Sequence, residues 1–177
     1  MIYVDIKDNI KDFLASVGTA SAEQLLRFFD GAAPQRAIEN SIYDLKRYGV
    51  AKEEDGYYRL ITTPKITRDE LERRSIVLDC LTQLKSSDVI AIKLFQYPVY
   101  FIAALEDSFI SYSLVRQTPD KQIIRALLTL PEYVAGDGHI KHYAVVLEDK
   151  VGKEVLDTFD GYYLVTEKGA MLYEDQA

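Results

Sequence analysis

Residues 47–60 read RYGVAKEEDGYYRL, and the fold of the N-terminal half depends on how they are read. Val50 to Lys52 and Tyr57 to Ile61 predict two short strands. Asp55-Gly56 between them is a pair that tolerates the positive φ of a tight hairpin. The tip carries Glu53, Glu54 and Asp55, a cluster that repels phosphate. What precedes the hairpin decides what it belongs to.

Three helices precede it. Ile6, Ile10, Phe13, Leu14 and Val17 form a helical stripe over Asp5 to Val17, stopped by Gly18. Ser21 and Gln24 have capping-box spacing, and Leu25, Leu26, Phe28 and Phe29 predict a short helix closed by Gly31. Pro34 opens a third helix with Ile38, Ile42 and Leu45 on one face and Gly49 as its stop. Three helices, short links and a hairpin are the order of a winged helix-turn-helix domain, expected over residues 1–63. Asp30-Gly31-Ala32-Ala33 is its helix-turn-helix link. The third helix then presents Gln35, Arg36, Glu39, Asn40, Asp44, Lys46 and Arg47 to a partner. Gln35, Arg36 and Asn40 are side chains able to pair with base edges, and Lys46 and Arg47 are able to hold phosphates. Double-stranded DNA is therefore the expected partner, with these five residues as the DNA-binding set. Glu39 and Asp44 favour a merely solvated helix face; the alternative function is an adaptor whose acidic hairpin and sheet dock a basic protein.

Composition bounds both readings. The chain has 177 residues, 48% hydrophobic and 28% charged, which is ordinary globular material. The longest uncharged run, Leu94 to Leu105, is too short and polar to span a bilayer. Met1 is followed by Ile2, Tyr3, Val4 and Asp5, without a basic leader, so a cytoplasmic location is expected. Cys80 is the single cysteine, which excludes an internal disulfide and a Cys-based zinc site. Net charge is −7. Residues 1–65 hold 9 basic against 10 acidic side chains, and residues 66–177 hold 12 against 18. Neither half has the basic footprint of a strong DNA binder. A locally basic helix, particularly in a homodimer, is the form that DNA binding would take here.

Residues 62–67, TTPKIT, break the two halves at Pro64. Thr67 to Glu70 is a capping box that opens a helix through about Leu84, with Leu71, Ile76, Val77, Cys80, Leu81 and Leu84 as its apolar face. Residues 88–95, 98–106 and 109–117 predict three strands, with Glu106-Asp107-Ser108 as the turn between the last two. A helix from Asp120 to Leu130, a strand over 141–149, a short helix over 152–159 and a hairpin over 161–174 complete the chain. The whole is α+β, with a C-terminal α/β domain at residues 67–177 built on a mixed sheet. No internal repeat is present.

That domain resembles the restriction-endonuclease-like fold, in which an acidic residue on the second strand and an acidic-x-Lys pair on the third hold a divalent metal. Here the second strand ends at Glu106-Asp107, but Ser111 to Val115 supply neither carboxylate nor lysine. Acidic-x-Lys occurs at Asp5-Ile6-Lys7, Asp44-Leu45-Lys46 and Glu148-Asp149-Lys150, as charge-rich chains produce by chance. The last is the best placed, with Glu132 or Asp137 as partner. A catalytically inert domain is expected, so no catalytic residue, metal ligand or cofactor is assigned. His139 and His142 flank a strand start as surface histidines without a third ligand. Cys80 reads as a small buried hydrophobe. Gly136-Asp137-Gly138 lacks the frame of a phosphate loop and reads as a turn. With 13 tyrosines and no tryptophan, the aromatics Tyr97, Tyr100, Phe101, Phe109 and Tyr112 read as sheet packing and subunit contact rather than base stacking.

A winged helix followed by an α/β domain opening DELERRSIVLDCLTQL, residues 69–84, is similar to the replication-relaxation proteins of plasmids and conjugative elements. The resemblance rests on architecture and on the ERRS entry to the second domain. It implies a DNA-associated role in mobile-element maintenance or transfer, with a degenerate nuclease-like domain.

Overall fold

The computed structural model describes residues 5–116, 120, 122, 124, 139–147 and 159–174. Helix α1 runs Ile6–Val17; the Asp5 side chain caps its first turn and Gly18, at φ 83°, ends it. A two-residue strand, β1 (Ala20–Ser21), leads into α2 (Ala22–Phe28). The Ser21–Gln24 capping box is complete, each side chain bonding the other's backbone N–H. Helix α3 spans Gln35–Arg47 behind Pro34. The hairpin is β2 (Ala51–Glu54) and β3 (Tyr57–Leu60). Asp55 and Gly56 both take positive φ, 52° and 81°, the geometry of a turn whose twist matches the strands. β1 pairs with β3, giving a three-stranded sheet in the order β1-β3-β2.

Helix α4, Arg68–Leu81, starts at a Thr67 cap and ends before Leu84. Its capping box is only half formed. Thr67 Oγ1 accepts from the Glu70 N–H, while the Glu70 carboxylate turns to Arg74 and the Tyr100 hydroxyl. A 3₁₀ turn at Ser86–Asp88 leads to β4 (Ala91–Leu94), β5 (Val99–Ala104) and β6 (Ser108–Val115). Then come β7 (His139–Leu147), β8 (Gly161–Thr166) and β9 (Gly169–Glu174). They form a six-stranded sheet in chain order. The pairs β4–β5, β5–β6 and β8–β9 are antiparallel, whereas β6–β7 and β7–β8 are parallel. Parallel neighbours need crossovers. Asp120, Gln122 and Ile124 are helical in the first of these; the rest of the helix expected to Leu130, and residues 152–158 of the expected short helix, lie outside the described residues, while Phe159 at its end is a bend.

Strand alternation sorts the sheet's two faces. Tyr112, Leu114, Tyr143, Val145 and Tyr163 pack with α4, whereas Val115, Ala144 and Val146 pack with Ile124 and Phe159 on the other side. The α4 core does not stop at the break near Pro64. One continuous cluster of buried side chains takes in Ile10, Phe13, Leu25 and Ile38 from the first half and Val77, Leu78, Tyr100 and Tyr112 from the second. Gln24, only 1% exposed, joins the halves: its Nε2 donates to Ser75 O, Ser75 Oγ and Asp79 Oδ1 at 3.0–3.1 Å. Tyr57 Oη donates to the same Ser75 hydroxyl at 3.0 Å.

Candidate functional site

Helix α3 is held by one face and free on the other. Ile38, Ser41, Ile42 and Leu45 are buried, as their three- and four-residue spacing dictates. The remaining positions put Arg36, Asn40, Tyr43 and Arg47 along one exposed stripe, flanked by Gln35, Glu39 and Lys46. All five expected DNA-binding residues are thus solvent-exposed on one helix, but they are not equally available. Gln35 Nε2 donates to Glu39 Oε1 at 2.8 Å. Lys46 Nζ donates to Glu53 Oε2 on the hairpin at 2.6 Å. Arg36 and Arg47 have no ion pair among the described residues; the Arg47 guanidinium lies 5.8 Å from the centre of the Tyr48 ring. Tyr43 and Tyr48 are 63% and 68% exposed. Neither belonged to the expected set, although the buried spacing of α3 already leaves position 43 outside.

The acidic hairpin is largely compensated from within. Glu53 is bound to Lys46, and Glu54 accepts from Arg59 at 3.3–3.4 Å with Lys65 Nζ 3.5 Å away. The hydrogen bond and charge of Lys46 lower the Glu53 pKa, and Glu53 in turn raises that of Lys46. Arg59, through its hydrogen bond, lowers the pKa of Glu54. Tyr58 beside the first pair is shifted up, by burial first and the Glu53 charge second. Exposed pairs of this kind add little stability. Their importance is electrostatic: among the described residues, Asp55 at the tip and Lys52 on β2 have no ion pair.

The second half gathers no metal-binding constellation among the described residues. Glu106 and Asp107 lie in an exposed bend after β5, and Ser111 and Ser113 on β6 are buried. Glu132, Asp137, Gly136-Asp137-Gly138 and Glu148-Asp149-Lys150 lie outside the described residues. His142 corrects one expectation: it is half-buried in β7 rather than a surface histidine. Its Nδ1 is 2.7 Å from Ser111 Oγ on β6. Asp160 accepts from the His142 backbone N–H at 2.7 Å. A serine, a histidine and an aspartate thus come together, but the aspartate binds the backbone and Ser111 is 2% exposed. A nucleophile needs access and an oriented base; this trio fastens neighbouring strands.

The end of α4 nearest β5 carries a second polar group. Arg74, 8% exposed, donates to Glu70 at 3.2 Å, and Glu70 also accepts from Tyr100 Oη at 3.0 Å. Arg73 stacks 5.5 Å from the Tyr97 ring centre. Burial, with the carboxylate of Asp120 second, pushes the Tyr97 phenol up to about 12. The core aromatics Tyr100, Phe101 and Tyr112 are fully buried, so they are unavailable for stacking on bases. Cys80 is likewise buried, and desolvation pushes its thiol far above the reactive range.

No family model matches the chain, and no curated protein matches its sequence. No helix among the described residues is long and apolar enough to cross a membrane.

Proposed function

We propose that residues 1–63 form a winged helix-turn-helix domain and that α3 is its recognition helix for double-stranded DNA. The observation that carries the reading is the outward stripe of α3. Arg36, Asn40, Tyr43 and Arg47 are exposed together, while the carboxylates Glu53 and Glu54 are held by Lys46, Arg59 and Lys65. The hairpin therefore repels phosphate much less than its sequence implies. Arg36 and Asn40 then read base edges and Arg47 neutralises phosphate, while Lys46 contributes only when it is released from Glu53. On this reading residues 67–177 are a nuclease-like domain without catalysis, and the likeness to replication-relaxation proteins extends to a role in mobile-element maintenance.

Alanine at both Arg36 and Arg47 is the test. Both side chains are exposed, so the circular-dichroism spectrum stays unchanged and duplex affinity falls by at least about tenfold, as expected for two lost cationic contacts. Unchanged affinity would remove α3 from the account. One observation favours a second reading, a docking module for a basic protein: Lys46 is already neutralised by Glu53, and Tyr43 and Tyr48 offer exposed aromatic surface of the kind that anchors protein interfaces.

A further inference from the structure

The two edges of the six-stranded sheet are built differently. β4 is four residues long, carries Lys93 and has α1 packed against it. These are the devices by which proteins blunt an edge. β9 has six residues with neither Pro nor Lys, and Met171, Leu172 and Tyr173 are 55%, 41% and 40% exposed. Met171 stands on the face of its β8 partner Leu164, and Leu172 on the opposite face with Tyr163. Apolar side chains exposed on both faces of an edge strand are the pattern of a strand that continues into another. The Ala170 carbonyl points outward, since the exposed Gln83 Nε2 reaches it at 2.9 Å. By the alternation of an antiparallel ladder, the backbone groups of Leu172 point outward too.

We propose that β9 pairs antiparallel with β9 of a second copy of this chain, about a two-fold axis at Met171 and perpendicular to the sheet. The occupant follows from self-complementarity. With Met171 opposite Met171, Ala170 bonds Leu172 in both directions, a partner N–H taking the place now held by Gln83. The same register sets Lys168 at one end opposite Glu174 at the other, twice by symmetry. Residues paired in this register lie on the same face of their own strands, so the sheet continues unbroken with both α4 helices on one side. This is an isologous contact of the kind that closes a dimer.

Sedimentation velocity on the full chain across a concentration series gives the first reading, with a dimer expected. Met171→Lys, at an exposed position, is expected to give a monomer with an unchanged circular-dichroism spectrum. Lys168→Glu is expected to weaken the dimer, and adding Glu174→Lys to restore it. Met171→Cys should form an intermolecular disulfide on mild oxidation, because side chains approach most closely at such a pair. Leu172→Cys should not, since it faces Ala170. Cys80 is buried and does not interfere. A monomer throughout, a dimer that survives Met171→Lys, failure of the charge exchange to restore it, or equal cross-linking at 171 and 172 would each overturn the proposal. The first of these outcomes would leave the edge to some other extended chain.

Discussion

Lys46 and Glu53 are seven residues apart, on different elements, and 2.6 Å from each other. No helical or strand spacing brings such a pair to notice, so the sequence shows a cation to be used and an anion to be explained. The structure makes each the answer to the other. The consequence for binding is non-additive. In the wild type, Lys46→Ala removes a charge that Glu53 already holds, and duplex affinity should change little. Glu53→Gln frees the lysine and should tighten binding by roughly three- to tenfold, the scale of one phosphate contact. In that background Lys46→Ala should cancel the gain. Equal effects of Lys46→Ala with and without Glu53 would show that the pair does not restrain binding, even if DNA binding itself holds. At Asp79 the environment works the other way. Burial raises its pKa above the ordinary 3.8, against the opposing hydrogen bond from Gln24 and charge of Arg27. A carboxyl with a raised folded pKa binds its proton more tightly folded than unfolded, so stability falls as the pH rises from 3.8 through the folded value. Asp79→Asn should therefore gain on the wild type as the pH climbs through that window, read as the difference in urea midpoints. A constant difference would refute the assignment.

Helices and hairpins were the legible elements because their ends are marked by local chemistry. Asp5, Ser21 and Thr67 cap as side chains, and Asp55-Gly56 takes the positive φ that a tight turn requires. β1 was not legible: two residues become a strand only by pairing with β3, and two residues carry no periodicity. The α4 face was only partly legible. Val77, Cys80 and Leu81 are buried as expected, but Leu71 and Ile76 are only half-buried, while Leu78 and Arg74 are buried instead. The helix is packed between the N-terminal half and the sheet, so it has no single apolar stripe to read. The turn after α1 depends on this packing. At Gly18, φ is 83° and an added Cβ would lie 2.7 Å from Arg74 Nη1, a side chain held in place by Glu70. Gly18→Ala should thus cost about 1–3 kcal/mol, from the left-handed backbone together with displacement of the guanidinium. A melting temperature within a degree of the wild type would contradict it.

For the molecule as a whole, the sequence indicated a break near Pro64 and two units either side of it. The buried residues form one cluster across that break, with Gln24 and Tyr57 both bonded to Ser75 on α4. A shared core predicts shared unfolding. Far-ultraviolet circular dichroism and tyrosine fluorescence should trace one coincident urea transition, and two separated transitions would contradict a shared core. The mixed sheet was legible in its strands, though not in their order within the sheet. The contact of buried Ser111 with His142 was not legible, because it joins side chains 31 residues apart on neighbouring strands. The central claim remains the α3 face, and fluorescence anisotropy of the full chain with labelled duplex DNA tests it most directly. A salt series with and without magnesium should show affinity falling steeply with salt, with no effect of magnesium on whether the duplex stays intact. Alanine at Arg36 and Arg47 should flatten the slope of log affinity against log salt by about one unit, because Arg47 is the phosphate contact of the pair. No binding at low salt would contradict the account and turn attention to a protein partner for the same face.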